Sequence, residues 1–137
     1  MEQKIMLIAV IKKNDKVLMR KKLQVQDLYT ESWYLLGAAL DASTSDIPKF
    51  LMESILEQTG LIVTIEQTSF WDWEIKKDHD KKEKLFVYLD CICRYISGKV
   101  VPQRDVKLEW VPVAKLKEYD LVPPSRKLFQ KLGWLKQ

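Results

Sequence analysis

Two side chains of this 137-residue chain have the type and spacing for metal or acid–base chemistry: Glu53 and Glu57. Glu53 and Glu57 are four apart, so on a helix they share one face. Clustered carboxylates can hold a divalent ion against phosphate oxygens, where it neutralises developing charge and positions water. Gln58 offers a neutral oxygen, which binds a cation more weakly. The same two glutamates would serve equally as a solvated pair on an exposed helix face. Arg20, followed by Lys21 and Lys22, stands where a strand should end. The planar fork of arginine suits phosphate, whereas lysine acts as a point charge. Trp71 and Trp73 could stack a base, fill the core or meet the second copy of a homodimer. Alternation along a strand would put them on one face and Phe70 on the other. His79 stands between two aspartates in the charge run Lys76 to Lys84, which reads as a solvated hairpin loop.

These residues need elements to position them. Lys4 to Ile11 reads as a central strand, a turn at Asn14-Asp15 follows, and Val17 to Arg20 returns. Leu23 to Ser32 reads as a loop. Trp33, Leu35 and Leu36 form an apolar strand end, and Gly37-Ala38-Ala39 leaves little bulk. Ile47 to Thr59 is expected as a helix, capped by Thr44 or Ser45 with Asp46 at its positive end. Its Pro48 falls in the tolerant first turn, and Gly60 stops it. Its apolar stripe would be Ile47, Phe50, Leu51, Ile55 and Leu56. Strands are expected from Ile62 to Thr68, Leu85 to Ile96 and Glu109 to Val113, with a loop from Pro102 to Leu108. A short helix, Ala114 to Tyr119, precedes Pro123-Pro124. Lys127 to Leu135 closes the chain as an amphipathic helix that buries Leu128, Leu132 and Leu135.

The segment WYLLGAALDASTSDIPKFLMESILEQTGL resembles the Nudix box, G-x5-E-x7-R-E-U-x-E-E-x-G-U with U apolar. Aligned back from Gly60, Ile55 and Leu61 take the apolar positions and Glu57 the first Glu of the E-E pair. Gln58 replaces the second Glu, Ser54 the Glu of R-E, Glu53 the Arg, and Ser45 the outlying Glu. A second register makes Glu53 and Glu57 the two metal glutamates, but puts Ser54 in the apolar slot and Leu56 on an acidic position. The first is preferred, because buried periodicity constrains a helix more than one charge match does. The opening hairpin, the LFVYLDCICRYISGKVV strand, Glu109-Trp110-Val111 and Pro123-Pro124 extend the resemblance over nearly the whole chain.

That resemblance implies an α+β fold, a mixed β-sheet sandwiched between α-helices, as one domain spanning residues 1–137. It implies a MutT-like, magnesium-dependent hydrolase of a nucleoside triphosphate or other nucleoside diphosphate derivative, weakened by the changes in the box. The other reading is a Nudix-fold module that binds a nucleotide or a protein and has lost catalysis. Glu57, Glu53 and Asp105 are the implied catalytic groups, and Glu57, Gln58 and Glu53 the implied magnesium ligands. Arg20 would meet phosphate, Trp71 and Trp73 a base, and Ser125 or Arg126, after the prolines, the nucleotide base.

Composition sets the remaining bounds. Hydrophobic residues make up 47%, enough for one core. The net charge of +4 permits acidic ligands, but the lysines are spread along the chain, which weighs against nucleic acid. No run is long enough to span a membrane and no signal peptide is read, so a reducing, cytoplasmic setting is expected. Cys91 and Cys93 are expected to face opposite ways and not to bridge each other.

Overall fold

A computed structural model describes residues 1–23, 31–41, 43–101 and 103–137. Most of the loop read from Leu23 to Ser32, and Pro102 of the late loop, lie outside the described residues. The elements are β1 (Gln3–Lys13), β2 (Lys16–Lys22), β3 (Trp33–Ala39), α1 (Ile47–Thr59), β4 (Ile62–Lys77), β5 (Glu83–Ser97), β6 (Val106–Pro112) and α2 (Pro123–Lys131). A 3-10 turn, Val113–Glu118, links β6 to α2. The strands form one mixed sheet in the order β4-β5-β1-β3-β2-β6, with β1 and β5 parallel and the other pairs antiparallel.

Alternation divides the strand residues between two cores. Leu7, Ala9, Ile11, Leu18 and Leu36 face α1 and pack on Leu51 and Ile55. Ile8, Val10, Val17, Met19 and Leu35 face α2 and pack on Leu128 and Phe129. This is the expected sheet between helices.

Helix α1 has the expected bounds, but its cap is Asp46, whose carboxylate accepts from the Lys49 N–H at 3.1 Å. Leu51, Ile55 and Thr59 form its buried line, one helical turn apart, while Leu56 is 47% exposed. Ile55 is thus the buried residue that the first box register asks for. Gly60 ends the helix at φ +82°. The last helix begins earlier than its apolar pattern suggested. Pro123 and Pro124 open it, since proline lacks only an N–H that the first turn leaves unbonded.

Cys91 and Cys93 lie on the same face, in the α1 core, because residues two apart on a strand point the same way. Both thiols are free and buried, and burial pushes the Cys93 thiol up to about 12. Trp71 and Trp73 correct the alternation in the other direction. A bulge between Phe70 and Asp72 inserts Trp71 as an extra residue. Trp71 swings onto the α2 core, while Trp73 pairs with Val87 and shares the opposite face with Phe70. Phe70 and Trp73 are both more than half exposed.

The charge run is not wholly solvated. Asp78 is only 7% exposed. It accepts from Lys4 Nζ and Lys84 Nζ, both at 3.0 Å, and from the His79 N–H at 2.8 Å. This ties the β4–β5 hairpin to the start of β1. Burial pushes the Asp78 carboxyl up, but these three donors outweigh it and hold it well below the usual carboxylate range.

Two measurements check this account. In urea unfolding, Ile55→Ala should cost about 2–5 kcal/mol, while Leu56→Ala should stay within about 0.5 kcal/mol. Equal costs would mean the helix is rotated. Asp78 is more acidic folded than unfolded, where aspartate titrates near ~3.9. Its contribution is therefore complete above that value and is lost as pH falls through the folded pKa. Asp78→Asn should lower Tm at pH 7 and flatten the acid side of the stability curve. An unchanged acid branch would remove Asp78 from this role.

Candidate functional site

The site begins where one edge of β3 changes partner. From Leu36 onward β3 pairs with β1. Before that point the same edge pairs with β2, from Lys21–Trp33 to Met19–Leu35, and the opposite edge meets the segment that leads into α2. The Trp33 N–H donates to Asp120 O, and the Val122 N–H donates to Trp33 O. The Leu35 N–H then donates to Ser125 Oγ at 3.0 Å. β1 and β2 pair only beside their turn, at Lys12–Val17 and Lys13–Lys16. The diverging strands border a cavity of about 300 Å³.

The walls of this cavity are cationic and aromatic. Arg20, Lys22 and Tyr34 line it on the α1 side, and Lys4, Lys76, Phe86 and Tyr88 on the α2 side. The Arg20 guanidinium lies 4.5 Å from the Tyr34 ring centroid, and Lys22 Nζ lies 5.6 Å from it. Lys76 Nζ lies 4.6 Å from the Phe86 ring and accepts the company of Tyr88, donating to its hydroxyl at 2.9 Å. The acid in the wall is Asp78, already engaged by Lys4 and Lys84. His79 also lines the cavity. A cavity with this lining suits an anion attached to a flat ring.

Below Arg20 the helix α1 closes the site through Gln58. Gln58 Nε2 donates to Gly37 O at 3.1 Å and to Ser54 Oγ at 2.9 Å. Gln58 Oε1 accepts from Arg20 Nη1 at 2.8 Å. The assignment of the amide follows from these partners, since Gly37 O can only accept. A glycine is needed at position 37, where an added Cβ would stand 2.4 Å from Leu7 O.

The proposed site residues fall in separate places. Arg20 and Ser125 line the cavity, and Ser125 uses its oxygen to hold the β3 backbone. Gln58 lies beside the cavity through Arg20 and Gly37. Glu53 and Glu57 are exposed on α1. Asp105 is also exposed, and its carbonyl accepts from the Leu23 N–H. Arg126 points away from the cavity lining to Leu121 O and Glu31. Trp71 is packed in the α2 core with Lys131 near its ring, and Trp73 is exposed on the other face.

Among the described residues, no three His, Cys, Asp or Glu side chains converge to hold a metal ion. The donors around Gln58 do not fit one either. Ser54 and Gln58 are neutral, and the Gln58 amide directs its hydrogens at the oxygens a cation would need. Sequence reading missed Lys4, Tyr34, Lys76, Phe86 and Tyr88 on the strands and Asp78 in the β4–β5 turn, which lie far apart in the chain. The strand residues carried only the signal of a lysine or aromatic ring on a strand, and Asp78 that of one charge in a charge run.

No helix among the described residues is long and apolar enough to cross a membrane. Neither the family models nor the curated proteins compared with the sequence match it. Solved structures do match its fold. A MutT NUDIX hydrolase from Burkholderia pseudomallei superposes with a TM-score of 0.67 at 15% identity, covering 96% of this chain and 99% of its own. A NUDIX hydrolase from Nitrosomonas europaea gives 0.68 at 12%, covering 96% and 89%. An ADP-ribose pyrophosphatase from Streptococcus suis gives 0.63 at 16%, covering 98% and 94%. Over nearly its whole length, the chain has the fold of the Nudix hydrolases.

Proposed function

We propose that the chain binds a nucleotide or another nucleoside-diphosphate-linked small molecule in the cavity between β1 and β2. The observation that carries this reading is the lining: among the described residues, Arg20, Lys22 and Lys76 stand beside Tyr34, Phe86 and Tyr88, and the acid there, Asp78, is paired with Lys4 and Lys84. The guanidinium of Arg20 presents a fork to phosphate, and the lysines add point charges. Phe86 and Tyr88 back the α2 side of the cavity from within the core, with Lys76 Nζ over both rings.

A second reading is magnesium-dependent hydrolysis of the same ligand class at its pyrophosphate bond. It is favoured by the fold and by Glu53 and Glu57, exposed one turn apart on α1. Asp105 would be the remaining acid. The donor set at Ser54 and Gln58 counts against it, so binding without turnover is the preferred reading.

Calorimetry with a nucleoside, its monophosphate and its diphosphate tests the proposal. Affinity should rise with each phosphate. Arg20→Ala should weaken diphosphate binding by about 10–100-fold, the equivalent of one charge-assisted hydrogen bond of about 1.5–3 kcal/mol. Equal affinity for the nucleoside and its diphosphate would sink the reading. Magnesium-dependent phosphate or pyrophosphate release, lost in Glu57→Ala, would favour the hydrolase.

A further inference from the structure

We infer that this site binds phosphate directly, with the Arg20–Gln58 pair doing the work that a divalent cation would do. The inference rests on the cavity being a nucleotide site. It concerns how the charge of the ligand is met there.

The geometry around Gln58 supports this. Its Nε2 stands within hydrogen-bonding distance of Gly37 O and Ser54 Oγ, at 3.1 and 2.9 Å. Two oxygens therefore converge on an amide nitrogen whose hydrogens satisfy both. A carboxylate at position 58 could not donate to the Gly37 carbonyl and would repel it. The network thus requires the amide, and a metal would have to break it. At the other end, Gln58 Oε1 holds Arg20 Nη1 at 2.8 Å, and Tyr34 lies under the guanidinium. Arg20 is fixed before any ligand arrives, so little side-chain entropy is lost on binding.

Charge arithmetic points the same way. Two carboxylates at positions 54 and 58 with one divalent ion would cancel. Ser54 and Gln58 carry no charge at all. In either arrangement positions 54 and 58 leave no net charge at the site. Removing the acids removes the need for the ion that would offset them. Magnesium bound to a diphosphate in solution would then hinder binding, because it neutralises the charge that the cavity recognises.

The test is titration of the full chain with ADP, once in EDTA and once in excess magnesium. Binding in EDTA should be as tight as in magnesium or tighter. Gln58→Glu should weaken EDTA binding by about tenfold or more, because its carboxylate competes with the ligand for Arg20. Gln58→Met, which keeps the chain length without the amide, should loosen Arg20 and also weaken EDTA binding. Thermal melts establish that each variant is folded. Binding by the parent only in magnesium would overturn the inference and leave the nucleotide reading standing. No binding in either buffer would overturn both. Unchanged EDTA affinity in both folded variants would overturn the role of Gln58.

Discussion

The structure depends on how the hydrogen bonds along one edge of β3 are shared. A strand edge is a row of backbone donors and acceptors, and buried ones must be paired. Here β2 meets the earlier half and β1 the later half, while residues 120–125 meet the start of the opposite edge through two backbone bonds and the Ser125 hydroxyl. Because no strand is asked to cover the full edge, β1 and β2 can separate without orphaning β3. The cavity is the space this division leaves. It also explains why a buried hydroxyl stands after the two prolines: Ser125 completes the ladder where the backbone of α2 has begun to coil.

The charges are arranged around that opening with little waste. Tyr34, Phe86 and Tyr88 each have a cation over the ring, so the aromatic walls keep lysine and arginine heads near the cavity. Asp78 neutralises part of this charge at the hairpin end, where Lys4 and Lys84 would otherwise repel. At the α1 end Arg20 donates to the neutral amide of Gln58. Tyr119 shows the same economy away from the cavity. Its hydroxyl donates to Glu109, which raises the phenol to about 12 and fixes the 3-10 turn against β6.

Local patterns made much of the fold legible. The bounds of α1 followed from its apolar period, Pro48 and Gly60, because each acts within one turn. The cap was harder, since Thr44, Ser45 and Asp46 can all accept a hydrogen bond, and only backbone geometry selects Asp46. Trp71 and Trp73 were misplaced because a bulge has no composition of its own: one extra residue reverses every assignment after it. Asp78 looked like one charge among many, since its burial depends on Lys4, which is 74 residues away. The cavity was the least legible feature. Arg20 stood out as a cation at a strand end, but the aromatic and basic residues across from it meet only through strand order.

The irregularity of β4 has a further consequence for the behaviour of the protein in solution. β4 is an edge strand of sixteen residues with Phe70, Trp73 and Ile75 exposed on one face. A straight edge of that length and composition would be a template for aggregation. The register breaks three times, at Ile62/Val63, Ile65/Gln67 and Phe70/Asp72. Each break twists the ladder, so a foreign strand cannot follow the edge in one continuous register. The bulge that gives Trp71 to the core thus also makes the longest free edge of the sheet a poor nucleus for fibres.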